Sequence, residues 1–258
     1  MCGRYTNHAA FSELQLQFDL ADTTASQAYR ASYNISPSYG AGFEQAIVVK
    51  GSTGRELRLA RWWFIPAFWK KSLKELPTAF NARAEDLANK VFWKQAFRSR
   101  RCLVPATGWR EFRPSTALPD HARSMRRAQR SQVTKQPYHL HLQGELFAFA
   151  GLWSTWQSPT GEAIDSFAIV TTEANALVQT VHSRMPLVLP KEHYDAWLET
   201  NSDATATLQQ AIAADQRLGI DIYPSNPIAN KSSFEGVEAI ERVELPVATQ
   251  GELPIGRS

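Results

Sequence analysis

Cysteine is scarce. The 258-residue chain holds two, Cys2 and Cys102, too few for a disulfide framework, and this points to free thiols in a reducing cytosol. Long apolar runs are also missing. No stretch approaches the ~20 residues of a membrane span, and the start lacks the apolar segment of a secretory signal, so a cytoplasmic protein without membrane association is expected. No internal repeat is visible. Metal-ligand patterns are absent as well: His139 and His141 share one strand face, but no cysteine or acidic cluster stands beside them. A solvent-facing histidine pair is therefore expected, with no metal and no cofactor.

What is present is an ordinary globular composition, 43% hydrophobic, long enough for one large domain. Eight tryptophans are many for this length. The net charge is only +3, but it is unevenly spread. Between residues 113 and 135, Arg113, Arg123, Arg126, Arg127, Arg130 and Lys135 face Asp120 alone, a local charge of +5 that leaves −2 on the rest. A basic segment of this kind is a better pointer to a polyanionic partner than the global charge is.

Hydrophobic periodicity predicts a helix in "HAAFSELQLQFDL", with Asn7 as its cap, although Leu14, Leu16, Phe18 and Leu20 also alternate as in a strand. "AIVVK" and "RELRLARWWF" read as strands, and "VFWKQAFRSR" as a helix feeding a strand at "RCLVPA". "YHLHLQGELFAFAGLW" reads as a hairpin turning at Gln143-Gly144. "SFAIVTTEAN" reads as a strand running into a helix, "LVLP" as a short strand, and "KEHYDAWLE" and "ATATLQQAIAA" as a helical C-terminal flank. Strands outnumber helices, which predicts an α+β chain: a mixed antiparallel sheet or barrel with helices outside. Residues 113–136 read as a basic loop insertion, with a helical alternative at "ARSMRRAQR". Residues 246–258 read as a mobile tail. Cys102, in a strand, reads as a small buried apolar residue. "RWWF" and "FAFAGLW" read as core, and Trp69, beside Lys70 and Lys71, as the better exposed aromatic.

The chemistry-bearing groups sit in compact phrases: Cys2 and Arg4 in "MCGRY", Asn34 in "YNISP", Asn81 and Arg83 in "FNARAE", Glu111 in "GWREF", and His182 and Arg184 in "VHSRMPLVLP". Each phrase alone is weak. Taken in order, with cysteine directly after the first methionine, they resemble the SRAP (SOS response-associated peptidase) family. The match runs from "MCGRY" through "RRCLVPATGWREF", "KQPYHLHL", "FAFAGLW" and "FAIVTT" to "VHSRMPLVLP".

That resemblance implies a single α+β domain over residues 2–245, with a curved antiparallel barrel-like core and flanking helices. It also implies covalent capture of abasic sites in single-stranded DNA by a monomeric protein. Once Met1 is trimmed, Cys2 carries an α-amine and a thiol on adjacent carbons. An α-amine with a pKa of about 7.7–8.0 is partly neutral at cellular pH and attacks the sugar aldehyde; the thiol then closes a thiazolidine ring. By matched position, Glu111 is the acid/base carboxylate, His182 the second proton carrier, and Asn81 the holder of the sugar or of the Cys2 backbone. Arg4, Arg83 and Arg184 would hold phosphates, Asn34 would brace the site, and Pro37, Phe68 and Trp69 would wedge and stack bases beside the lesion. This chain departs from the family pattern at Ser183, which stands where an aspartate is usual, and at Arg110, which stands where an aromatic is usual. Two other readings stay open at this point: a cysteine peptidase built on Cys2, Glu111 and His182, and a noncovalent single-strand-binding module.

Overall fold

The computed structural model describes residues 2–22, 27–38, 44–114, 135–143, 146–200, 203–216 and 218–245. Most of the basic insertion and the 246–258 tail lie outside these residues. The insertion is framed by strands, because Arg113 pairs with Gln136 and Pro114 with Lys135; its two ends as read from sequence therefore belong to the sheet.

Five strands close a barrel: β4 (Glu44–Lys50), β5 (Arg55–Trp62), β7 (Arg101–Ala106), β10 (Phe147–Gln157) and β11 (Ala163–Glu173). β10 pairs antiparallel with β7 and β11, and β4 pairs antiparallel with β5 and β7. The ring is completed by a parallel contact, Phe167 of β11 against Trp62 of β5. The barrel is thus antiparallel except at one seam. Short strands extend it: β2 (Leu20–Asp22) on β5, β6 (Asn81–Arg83) and β12 (Arg184–Pro186) on β11, and β13 (Val188–Leu189) on β10. A second, wholly antiparallel sheet runs in the order β14 (Ile220–Pro224), β9 (Lys135–Leu142), β8 (Gly108–Pro114), β1 (Tyr5–Asn7), β3 (Ser32–Ile35).

Period-two alternation sorts the barrel residues into two cores. Ile47, Val49, Ala60, Trp62, Cys102, Val104, Phe149, Phe167 and Ile169 form one buried cluster together with Cys2 and with Tyr5 and Trp109 of the second sheet. Their neighbours Ala46, Val48, Leu103, Ala150 and Val170 form the other, covered by helices α1 (Phe11–Phe18), α2 (Val91–Ser99), α3 (Tyr194–Leu198) and α4 (Ala204–Asp215). Inside the barrel, Gly151 lets β10 approach β7, since a Cβ there would lie 2.7 Å from the Cys102 sulfur. Arg101 is 2% exposed. Its guanidinium donates to the carbonyls of Phe97 and Trp197, at 2.8 and 2.6 Å, and also to that of Glu199. One buried cation thereby caps the C-terminal ends of both α2 and α3, where the helix dipole favours positive charge.

Several expectations need correction. Asn7 lies in β1 and caps nothing; α1 starts after Ala10, and Glu13 closes its first turn by accepting from the Ala10 N–H at 2.5 Å. The helical period wins in α1 because Leu14 and Phe18 bury one face while Leu16 stays 85% exposed. The expected hairpin between β9 and β10 does not form: β9 pairs with β8 and β14, and β10 with β7, β11 and β13, so the two strands belong to different sheets. β11 runs into a 3-10 turn at Val178–Thr180 where a helix was expected. His139 is 3% exposed and faces no solvent. Its ring stacks on His141 and contacts Tyr223, with centroids 5.6 and 5.4 Å apart.

Candidate active site

β1 begins three residues after Cys2, which draws the start of the chain into the core between the barrel and the second sheet. Cys2 is fully buried there, over a floor of edge-to-face rings: Tyr5 lies 5.0 Å from Trp62, and Trp109 lies 5.9 Å from Phe149. The backbone of Cys2 is pinned from the barrel side. Asn81, the first residue of β6, donates from Nδ2 to the Cys2 carbonyl at 2.7 Å. Its Oδ1 is buried with no partner among the described residues, an acceptor left open beside Cys2. The Cys2 thiol contacts the Arg4 carbonyl at 3.6 Å.

Glu111 approaches from β8. It is 2% exposed, and burial raises its carboxyl to about 7, against the opposing pull of the amino-terminal charge. Burial first, and the Glu111 carboxylate second, push the Cys2 thiol far above its ordinary range. Burial thus favours the protonated form of both groups, the thiol and the carboxyl beside it.

His182 precedes β12. Its Nδ1 sits 3.0 Å from both the N–H and the carbonyl oxygen of Arg184, so either tautomer of the ring is held by one backbone unit. Partial burial lowers its pKa, and the amino-terminal charge lowers it further. Cys2, Glu111 and His182 thus share one electrostatic environment.

The expected phosphate ligands are placed less uniformly. Arg83 is exposed. Arg184 forms a two-pronged ion pair with Glu85 and donates to the Thr171 carbonyl at 2.8 Å. Arg4 is half-buried and donates to Asn34 Oδ1 at 2.8 Å and to the Ala229 carbonyl at 3.2 Å. Asn34 is 4% exposed and forms a hub. Its Oδ1 also accepts from Arg110 at 2.9 Å, and its Nδ2 donates to the carbonyls of Lys231 and Phe234, each at 2.8 Å. Pro37 is half-buried just past β3. Phe68 is 44% exposed and lines a groove with Val91, Lys94, Gln95 and Arg98 of α2. Trp69 is half-buried against Ile65, Trp156 and Ile164, so Phe68 is the more exposed ring of the two.

The structure therefore joins Cys2, Asn81 and Glu111, sets His182, Arg83 and Arg184 around β11, and leaves Pro37, Phe68 and Trp69 on segments of their own. Two residues were not singled out by sequence reading. Glu85 lies inside the same "FNARAE" phrase as Asn81, four residues on, and its acidity next to a basic motif was the available signal. Arg110 stood out only as a departure. It is fully buried on the opposite sheet face from Glu111, where its guanidinium holds Asn34 and the Ala239 carbonyl.

Comparison with known proteins is consistent across sequence and fold. A sequence model described as "SOS response associated peptidase (SRAP)" matches residues 1–231. The chain is 32% identical over 247 residues to a Bacillus subtilis protein named abasic site processing protein YoqW, covering 93% of this chain and 99% of the relative. It is 30% identical over 242 residues to YoaM of the same organism, covering 93% and 98%, and 25% identical to the mouse abasic site processing protein HMCES, covering 96% and 77%. Among solved structures, a Bacteroides thetaiotaomicron protein superposes with a TM-score of 0.68 at 22% identity, over 87% of this chain and 92% of that one, which supports the fold. With the barrel, the buried Cys2 and its Asn81 and Glu111 neighbours in place, this chain belongs to the SRAP family.

Proposed function

We propose that this protein processes abasic sites in single-stranded DNA by forming a covalent crosslink through Cys2 after removal of Met1. The observation that carries the reading is the grip of Asn81 on the Cys2 carbonyl, with the Glu111 carboxyl poised near 7 beside the same residue. The relatives named for abasic-site processing support it.

The chemistry balances without a cofactor. The neutral α-amine of Cys2 adds to the aldehyde carbon of the ring-opened sugar, and the carbinolamine loses water to give an imine. The thiol sulfur then bonds to the imine carbon, its proton passes to nitrogen, and a thiazolidine closes. Glu111 near its pKa is suited to give a proton to the leaving hydroxyl and to take one from the thiol. A protonated thiol suits this order, because the amine acts first. It does not suit a cysteine peptidase, whose nucleophile is a thiolate with a lowered pKa. An imine that escapes ring closure can lose the 3′ phosphate by β-elimination, with His182 as the proton carrier, so strand nicking accompanies crosslinking.

The test begins with the intact mass of the purified protein, to establish that Met1 is gone. The protein is then incubated with an abasic single-stranded oligonucleotide and run on a denaturing gel. A shifted band that survives denaturation without a reductant is expected. Its absence from protein that lacks Met1 would overturn the proposal in favour of noncovalent binding.

A further inference from the structure

We infer that the outer face of α2, with the exposed Phe68 ring beside it, is a further nucleic-acid site: a track for the single strand that flanks the lesion on one side, held by Lys94 and Arg98. This deepens the function proposed above and rests on it, because it takes single-stranded DNA as the ligand. Neither cation has a part in the crosslinking chemistry.

α2 has two faces. Trp93, Ala96 and Phe97 are buried in the core that the helix covers. Val91, Lys94, Gln95 and Arg98, spaced i, i+3, i+4 and i+7, form one outward stripe and are all exposed. This stripe, together with Phe68 and Thr200, lines a groove of about 570 Å³, inside the range of roughly 300–1,000 Å³ that ligand sites occupy.

The stripe is costly unless something binds it. Lys94 and Arg98 are like charges one helical turn apart, an arrangement that weakens a helix, and neither has an ion-pair or hydrogen-bond partner among the described residues. The acids nearby are engaged elsewhere. Asp86 pairs with Lys90 at 2.8 Å, Glu199 pairs with Lys50, and Asp203, which borders the adjoining groove, accepts from the N–H groups of Thr205 and Ala206. Between the unpaired cations stand two apolar side chains, Phe68 at 44% and Val91 at 75% exposure. Free cations beside an exposed ring match a single strand, whose phosphates meet the cations while a base stacks on the ring. An acidic peptide would satisfy the cations but has no base to stack on Phe68. The ring also borders a narrower cleft with Gln95, Arg100 and Trp153, where the Arg100 guanidinium lies 4.6 Å from the centre of the Trp153 ring. A third cation thus continues the track past Phe68.

The test uses the full chain with Met1 removed, as wild type, Lys94→Gln, Arg98→Gln, the double variant and Val91→Glu. All three positions are exposed, and a glutamate in the first turn of α2 suits the helix dipole, so each variant is expected to fold. Binding to a long unmodified single strand is measured against salt. Each Gln variant should flatten the slope by about 0.7, and the double variant by about 1.4; Val91→Glu should weaken binding. Crosslinking rates at subsaturating DNA are then compared for a short abasic strand and for strands extended only 5′ or only 3′ of the lesion. The double variant should match wild type on the short strand and lose the gain that one of the two extensions provides. At saturating DNA every variant should crosslink to the wild-type level. An unchanged salt slope, an equal loss on the short strand, equal losses on both extensions, or no gain from either extension in wild type would overturn the track. An unchanged slope with lost binding to polyglutamate would assign the groove to an acidic protein partner instead. If the wild type does not crosslink, the proposed function fails, while the salt slope on the unmodified strand still decides the groove.

Discussion

The side-chain nitrogen of Asn81 donates to the carbonyl oxygen of Cys2 at 2.7 Å, across 79 residues of sequence. The short strand β6, docked on the barrel strand β11, thereby fixes the backbone of the residue whose amine and thiol are proposed to react. Positioning of this kind converts a mobile chain start into an oriented nucleophile.

Asn81→Ala removes the grip and leaves every bond-making atom in place. Crosslink formation in single-turnover gel assays is expected to slow by roughly ten- to hundredfold, with little change in noncovalent DNA binding. A wild-type rate in this variant would show that Cys2 is oriented by other contacts.

Glu111 titrates near 7 because it is buried. The rate of imine formation should therefore bend with an apparent pKa close to that value, and Glu111→Gln should remove the bend while slowing the step by at least roughly a hundredfold. Borohydride trapping across a pH series measures this. A bend that persists in Glu111→Gln assigns the titration to another group, the α-amine first.

The two cysteines are both buried but should behave oppositely. Cys2→Ala retains an amine and loses ring closure, so a stable crosslink should vanish while a borohydride-trappable imine persists. Cys102 faces Gly151 inside the barrel; Cys102→Ala should cost about 1 kcal/mol of stability and leave crosslinking at the wild-type level. Equal loss in both variants would contradict the two-nucleophile chemistry.

Asn34 accepts from two guanidinium groups and donates to the C-terminal segment. Asn34→Ala strips the fully buried Arg110 of one acceptor and leaves it the Ala239 carbonyl, a loss on the order of 3 kcal/mol for charge-assisted bonds. Denaturant unfolding should show the midpoint falling with the slope unchanged. A loss below about 0.5 kcal/mol would mean that the hub does not carry the stability of this sheet.

Asp215 ends α4 fully buried, with Oδ1 accepting from the Val188 N–H at 3.0 Å and Oδ2 without a partner among the described residues. Burial raises its carboxyl from 3.8 to about 7. A carboxyl with a raised folded-state pKa is stabilising while protonated, so its contribution is complete below the unfolded value and is lost as pH rises from about 4 to about 7. Asp215→Asn keeps the acceptor and never ionises. It should therefore gain on the order of a few kcal/mol over wild type at pH 8 and nothing at pH 4, measured as the difference in thermal midpoint. Equal midpoints at pH 8 would place the Asp215 titration at ordinary values.

The local elements were largely readable because their signals are local. Leu14 and Phe18 at helical spacing mark α1, and the apolar alternation in "RELRLARW" marks β5. Adjacent strands without intervening helices indicated an α+β barrel-like core, and the ordered phrases from "MCGRY" to "VHSRMP" marked the family. Sequence alone also put cysteine directly after the first methionine, which is all that the proposed pairing of amine and thiol on one residue requires once Met1 is removed.

Pairing partners were decided by tertiary structure. Gln143-Gly144 is a good turn signal in sequence, yet β9 pairs with β8 and β14 while β10 pairs with β7, β11 and β13, and no short-range pattern encodes that choice. The parallel seam of β5 with β11 joins segments about a hundred residues apart and leaves no periodic trace. Electrostatics belonged to the fold as well. Glu111 is an ordinary carboxylate in sequence and reaches about 7 only because β8 buries it; His139 looks like a solvent-facing ring and is enclosed by β14 and Arg110. The ion pair of Arg184 with Glu85 likewise joins residues 99 apart in sequence and exists only in the fold. Residue type and order set which groups this chain owns, whereas desolvation and partnership, which arise only when distant segments pack, set what those groups do.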